Sequence, residues 1–183
     1  MKKIVAALFV MLVSAQSLAL DFPLIVQIKY SPWGGINADE DEFDTDDEFE
    51  HYDMTFDNSY GGRILMGPVY ISHHRSNADI EGGKEAEVRT IAIGVAGISY
   101  DVYQSQSGTY LMGGLGIGRG TFIFDKEDGE KEQDAMFEAN AEAGLRIDEH
   151  LLIGAGLDFQ HFGEFGESKG SAWTFYISSG LVF

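Results

Sequence analysis

The residues best suited to covalent chemistry in this chain lie in one short stretch, His74-Arg75-Ser76-Asn77-Ala78. In an extended segment residues two apart share a face, so His74 stands beside Ser76 and can take its hydroxyl proton. An acid on the following strand, Glu85 or Glu87, would orient the imidazole and complete a hydrolase triad. His73 beside His74 leaves open which imidazole holds that face. Polar residues where a strand runs out into a loop also have an ordinary structural explanation.

Asp39 to Glu50 offers a second chemistry, with nine carboxylates in twelve residues. Clustered oxygens such as those of Asp39, Asp41, Asp44 and Asp46 suit Ca²⁺ or Mg²⁺. The spacing departs from an EF-hand, because Phe43 and Asp44 stand where that loop needs an oxygen ligand and a glycine. A solvated, self-repelling acidic loop is the other reading. No further cofactor is expected, since the chain has no cysteine for a thiolate site or a disulfide. Twelve basic residues against thirty acidic ones, a net charge of -18, exclude nucleic acid as a partner.

The elements that position these residues read as strands, given twenty-three glycines and only three prolines. Alternation predicts a first strand from Leu24 to about Trp33, then Met54 to Met66, Val69 to Ser76 and about Ala86 to Tyr103. Thr109 to Phe124, a sixth strand around Phe137 to Ile147, Leu151 to Gln160 and Trp173 to Phe183 complete eight. Short turns (Gly67-Pro68, Gln104–Gly108, Asp148–His150) alternate with longer polar loops (Asn37–Asp53, Asn77–Glu85, Asp125–Asp134, Gly163–Ser171). An up-and-down antiparallel barrel crossing an outer membrane has this asymmetry, with short turns and both termini in the periplasm. Tyr30, Trp33, Tyr60, Tyr100, Tyr103, Tyr110, Trp173 and Phe183 gather near strand ends as interfacial girdles would.

Met1 to Ala19 carries Lys2 and Lys3, ten apolar residues from Ile4 to Val13 and a Ser17-Leu18-Ala19 cleavage site, the pattern of a signal peptide. The barrel domain is then residues 20–183, with ten basic against thirty acidic residues, or -20. Eight strands enclose a lumen that side chains just fill, so no wide pore is expected. On the polar parity Lys29, Asp57, Arg63, Glu87, Arg89, Asp101, Glu138, Glu142, Arg146 and Asp158 face inward, where they must pair or keep water. Ile91, Ile93 and Val95 share the parity of Glu87 and Arg89, so strand four either holds a bulge or places those charges outside. Arg119 shares the parity of Leu115 and Ile117, where it would snorkel to lipid phosphates or mark the strand's exit from the membrane.

Trp173, Phe175, Ile177, Leu181 and Phe183 alternate to an aromatic end, which resembles the C-terminal signature of bacterial outer-membrane barrels. Over its mature length the chain resembles the opacity-protein and OmpX-like eight-stranded barrels. That resemblance implies surface display, adhesion or envelope integrity, with outer-membrane lipid and lipopolysaccharide as partners and the barrel-assembly machinery acting through Phe183. The His74-Arg75-Ser76-Asn77 stretch resembles the His-x-Ser-Asn motif of the PagL-type lipid A deacylases, which implies a lipid-facing hydrolase with His74, Ser76 and an acid such as Glu87. That family carries the motif late in its chain, unlike this one. A soluble periplasmic β-barrel carrier is the third alternative.

Overall fold

The computed structural model describes residues 24–38, 52–80, 84–99, 108–124, 130–163 and 170–183. Its strands are β1 (Leu24–Ala38), β2 (Tyr52–Met66), β3 (Val69–Ile80), β4 (Lys84–Ile98), β5 (Gly108–Phe124), β6 (Glu130–Arg146), β7 (Leu151–Phe162) and β8 (Gly170–Val182). Each pairs antiparallel with its neighbour in sequence and β8 returns to β1, so the sheet closes into an eight-stranded barrel. Leu24 and Phe183 complete the seam by exchanging backbone hydrogen bonds of 3.2 and 2.8 Å. A closed ladder satisfies its own backbone polar groups without water. The strands hold 12 to 17 residues, more than the roughly nine to eleven that a tilted membrane span needs.

Strand four ends at Ile98 rather than near Tyr103. Tyr100, Asp101 and Tyr103 lie outside the described residues, as do Met1–Ala19 and the acidic cluster Asp39–Glu50. Tyr30, Trp33, Tyr60, Trp173 and Phe183 face outward, whereas Tyr110 is buried inside the barrel and belongs to no girdle.

Two bulges set which side chains enter the lumen. The register shifts between Tyr30 and Trp33 in β1 and between Phe56 and Asn58 in β2. Pro32 supplies one reason, because it has no N–H to give the ladder. Gln27, Lys29 and Ser31 face inward before the β1 bulge and Ile36 after it, with Trp33 exposed between them. In β2 the shift brings Phe56 inside and turns Asp57 outward, so Asp57 is no part of the lumen. Strand β4 has no such shift. Ile91, Ile93 and Val95 are exposed, and Arg89 on the same parity is exposed with them.

The inward glycines answer the inward tyrosines. A Cβ on Gly116 would stand 2.5 Å from the Tyr70 hydroxyl, and one on Gly156 would stand 2.6 Å from that of Tyr176. A lumen this narrow holds large rings only where the facing strand has no side chain. The β6–β7 turn is fixed by Asp148, whose Oδ1 accepts the N–H groups of His150 at 2.7 Å and Leu151 at 2.8 Å. Those two bonds hold its carboxyl below the usual carboxylate range.

Gly116→Ala should lower stability by about 1–3 kcal/mol through overpacking against Tyr70. Gly97→Ala, which meets nothing within 4 Å, should change it by less than about 0.5 kcal/mol. Urea unfolding from lipid vesicles checks the contrast; equal shifts would contradict the ring-over-glycine packing.

Candidate functional site

The lumen is filled in three layers. Ile25, Leu65, Leu152 and Val182, with the rings of Tyr70 and Tyr110, close the end near the short connections. Ile36, Phe56, Val88, Phe122 and Phe162 close the other, where Phe122 meets Phe162 edge-on at 4.8 Å. Charged and polar side chains lie between the two apolar layers.

Arg63 and Glu142 form the centre of the middle layer. Arg63 Nη2 donates to Glu142 Oε2 at 2.8 Å, Nη1 donates to Asn140 Oδ1 at 2.8 Å, and Nε and Nη2 reach Gln27 Oε1 at 3.0 and 2.7 Å. Glu142 also accepts from Gln27 Nε2 (2.8 Å), Tyr110 (2.5 Å), Tyr176 (3.0 Å) and Ser178 (2.9 Å). Lys29 Nζ holds both oxygens of Asp158 at 3.0 and 2.9 Å and lies 4.0 Å from the centre of the Tyr176 ring. Glu138 is satisfied differently, with the Ser72 hydroxyl 3.0 and 2.9 Å from its two oxygens. Hydrogen bonds of this number are what keep buried charges from being a net liability.

Of the charges expected inside, Lys29, Arg63, Glu138, Glu142 and Asp158 are buried in the lumen. The others are not. Arg89 and Asp57 face outward, and Arg146 reaches the β6–β7 turn, with Nε on the Asp148 carbonyl at 3.0 Å and Nη2 on that of Glu149 at 2.5 Å. Glu87 lies on the outer face between Arg75 and Arg89. Ser72 and Tyr70 were missed, and His74 and Tyr110, expected on the outer face, point inward; Val69 and Ile71, apolar on the opposite parity of β3, were the signal that even positions there point inward.

The triad expected from His74, Ser76 and Glu87 is not assembled. His74 and Ser76 are 5% and 6% exposed and face the lumen. Ser76 Oγ donates to Ser59 at 2.8 Å, and His74 Nε2 faces Asp158 Oδ2 at 3.5 Å. Glu87 is on the other side of the wall, where it binds arginines. Glu85 pairs with Asp79 at the rim of β4. The expected lipid-facing triad is therefore not brought together, because β3 carries its even residues on the inner face and Glu87 lies on the outer one. Arg119 does face outward and donates through Nη1 to Gln133 Oε1 at 2.9 Å.

No family model and no curated protein sequence matches the chain. Its fold is similar to solved structures of small barrels. Neisserial surface protein A aligns over 87% of this chain and 97% of its own, at 8% identity and a TM-score of 0.57. Ail, the attachment invasion locus protein of Yersinia pestis, aligns over 90% and 100% at 11% identity and 0.50. The outer membrane protein OprG from Pseudomonas aeruginosa aligns over 88% and 96% at 10% identity and 0.51.

Arg63→Met should destabilise the barrel by about 3–5 kcal/mol, because it leaves Glu142 charged and uncompensated in a dry layer. Adding Glu142→Leu should recover part of that loss. A double-mutant cycle read by vesicle-based unfolding checks it, and strictly additive effects would contradict the pairing.

Proposed function

We propose that this protein is an outer-membrane barrel that carries no solute. It stands with its short β2–β3 and β6–β7 connections and both chain termini in the periplasm and its acidic loops outside. Its role is structural or adhesive, exercised through those loops and through contact with membrane lipid, and not by turnover of a substrate.

The observation that carries this reading is the inverted polarity of the wall. Ile28, Trp33, Leu111, Leu115, Ile117, Ile153, Leu157 and Ile177 are each about half exposed or more on the outside, while Lys29, Arg63, Glu138, Glu142 and Asp158 are sealed within. In water that distribution would leave a continuous apolar band and bury charge without need. In lipid it is the favourable one. A soluble carrier, the alternative of the same topology, would want an apolar cavity, and this lumen is packed with its own side chains.

Membrane fractionation should recover the protein with the outer membrane, and unboiled samples should run at a different gel mobility from boiled ones. Planar bilayers containing the protein should show no stable conductance steps. Recovery in the soluble periplasmic fraction without detergent would refute the location, and reproducible channel steps would refute the sealed lumen.

A further inference from the structure

The outward face of β3, β4 and β5 carries basic side chains inside an otherwise apolar wall. Tyr60, Arg75 and Arg89 are successive register partners across β2, β3 and β4, and Arg119 stands one pair along β5, opposite Ile91. Glu87 organises the group. It is on the outer face yet only 2% exposed, because Arg75 Nε and Nη2 lie 2.8 Å from its carboxylate and Arg89 Nε binds it as well. The Arg75 guanidinium also lies 5.7 Å from the centre of the Tyr60 ring. One carboxylate thus holds two guanidinium groups side by side and neutralises only one of them; Arg119 adds a third cation on the same face, against which the outward Asp57 stands on β2. The side chains of Arg75 and Arg89 stay 36% and 48% exposed.

In a chain with thirty acidic and twelve basic residues, three arginines gathered on one face are against the general balance. A cation on a lipid-facing strand is costly at mid-membrane and tolerated at the interface, where headgroup phosphate can pair with it. Ile91, Ile93, Ile117 and Leu115 continue the face away from the arginines towards the short connections. A shallow groove of about 670 Å³ then opens over Gly97, Gly113, Ala139 and Ala141, walled by Val95, Leu157 and Phe159. Phosphate donors at one level and an apolar channel at the next match one kind of molecule.

We propose that this face is a binding site for an anionic, acylated lipid of the outer leaflet. Arg89 and Arg119, with Arg75 behind them, take a headgroup phosphate through the guanidinium fork that suits its oxygens, and an acyl chain lies along the glycine and alanine groove. The inference rests on the membrane-barrel reading and adds to it a specific lipid.

The test uses the folded protein in detergent micelles, with purified diphosphoryl lipid A as the probe and native mass spectrometry as the readout. Arg119→Gln, and separately Arg89→Gln, should each weaken lipid A binding roughly fivefold, the factor expected for one basic residue at an anionic surface. Gly97→Leu should weaken it by obstructing the groove. Phosphatidylcholine should bind weakly and equally to all variants, and inorganic phosphate should not displace lipid A. Unchanged lipid A affinity in Arg119→Gln and Arg89→Gln would overturn the site, as would displacement by phosphate alone. If the wild type inserts into lipid but binds lipid A no better than phosphatidylcholine, this inference falls and the membrane reading stands. If it does not insert at all, both fall.

Discussion

The return of the last strand to the first constrains everything else in this protein. The β1–β8 ladder runs from Ile25 opposite Val182 to Ala38 opposite Gly170, and it removes the only edges the sheet would have. Closure at eight strands leaves two surfaces that cannot be exchanged. The inner one is so narrow that side chains fill it, and the outer one carries all the remaining apolar bulk. A wall that exposes Ile28, Leu111 and Ile117 to 65% or more and keeps Lys29, Arg63, Glu138, Glu142 and Asp158 on its inner side is stable only where the outside is not water.

Filling the lumen couples charge to shape. Tyr110 and Tyr176 both donate to Glu142, and the same rings lie against strand positions that must be glycine, as Gly144 and Gly156 are. The carboxylate can be buried because tyrosine, serine, glutamine and arginine donors converge on it, and the rings can converge because the wall beside them is bare. Apolar layers above and below then exclude the water that would loosen the network. The network and the rings thereby hold one another in a single arrangement.

Much of this was legible in the residue pattern. Strand number and the faces of β6, β7 and β8 follow from a period of two, but the expected alternation of short and long connections does not hold, because β3 and β4 are joined across residues 81–83 alone and β4 and β5 across 99–107. Lys29, Arg63, Glu138, Glu142 and Asp158 fell on the polar parity of their strands for the same reason. What the pattern hid was local. A bulge turns Asp57 out and Phe56 in, and parity counting cannot place a bulge without the partner strand. Glu87 and Arg89 sit on the apolar parity because they neutralise each other near one end of the strand, so charge alone misassigned their face. Arg146 lies at a strand end, where turn carbonyls compete for it. The Ser72–Glu138 contact joins residues 66 apart and exists only because the barrel closes. His74 and Ser76 share a face as expected, but that face is the inner one.

Trp33 and Trp173, the only tryptophans in the chain, both point outward and are 64% and 52% exposed. They report directly on what wets the wall. In vesicles whose acyl chains are brominated, their fluorescence should be strongly quenched while aqueous acrylamide has little effect. Efficient quenching by acrylamide together with indifference to the brominated lipid would place the apolar face in water and contradict the account.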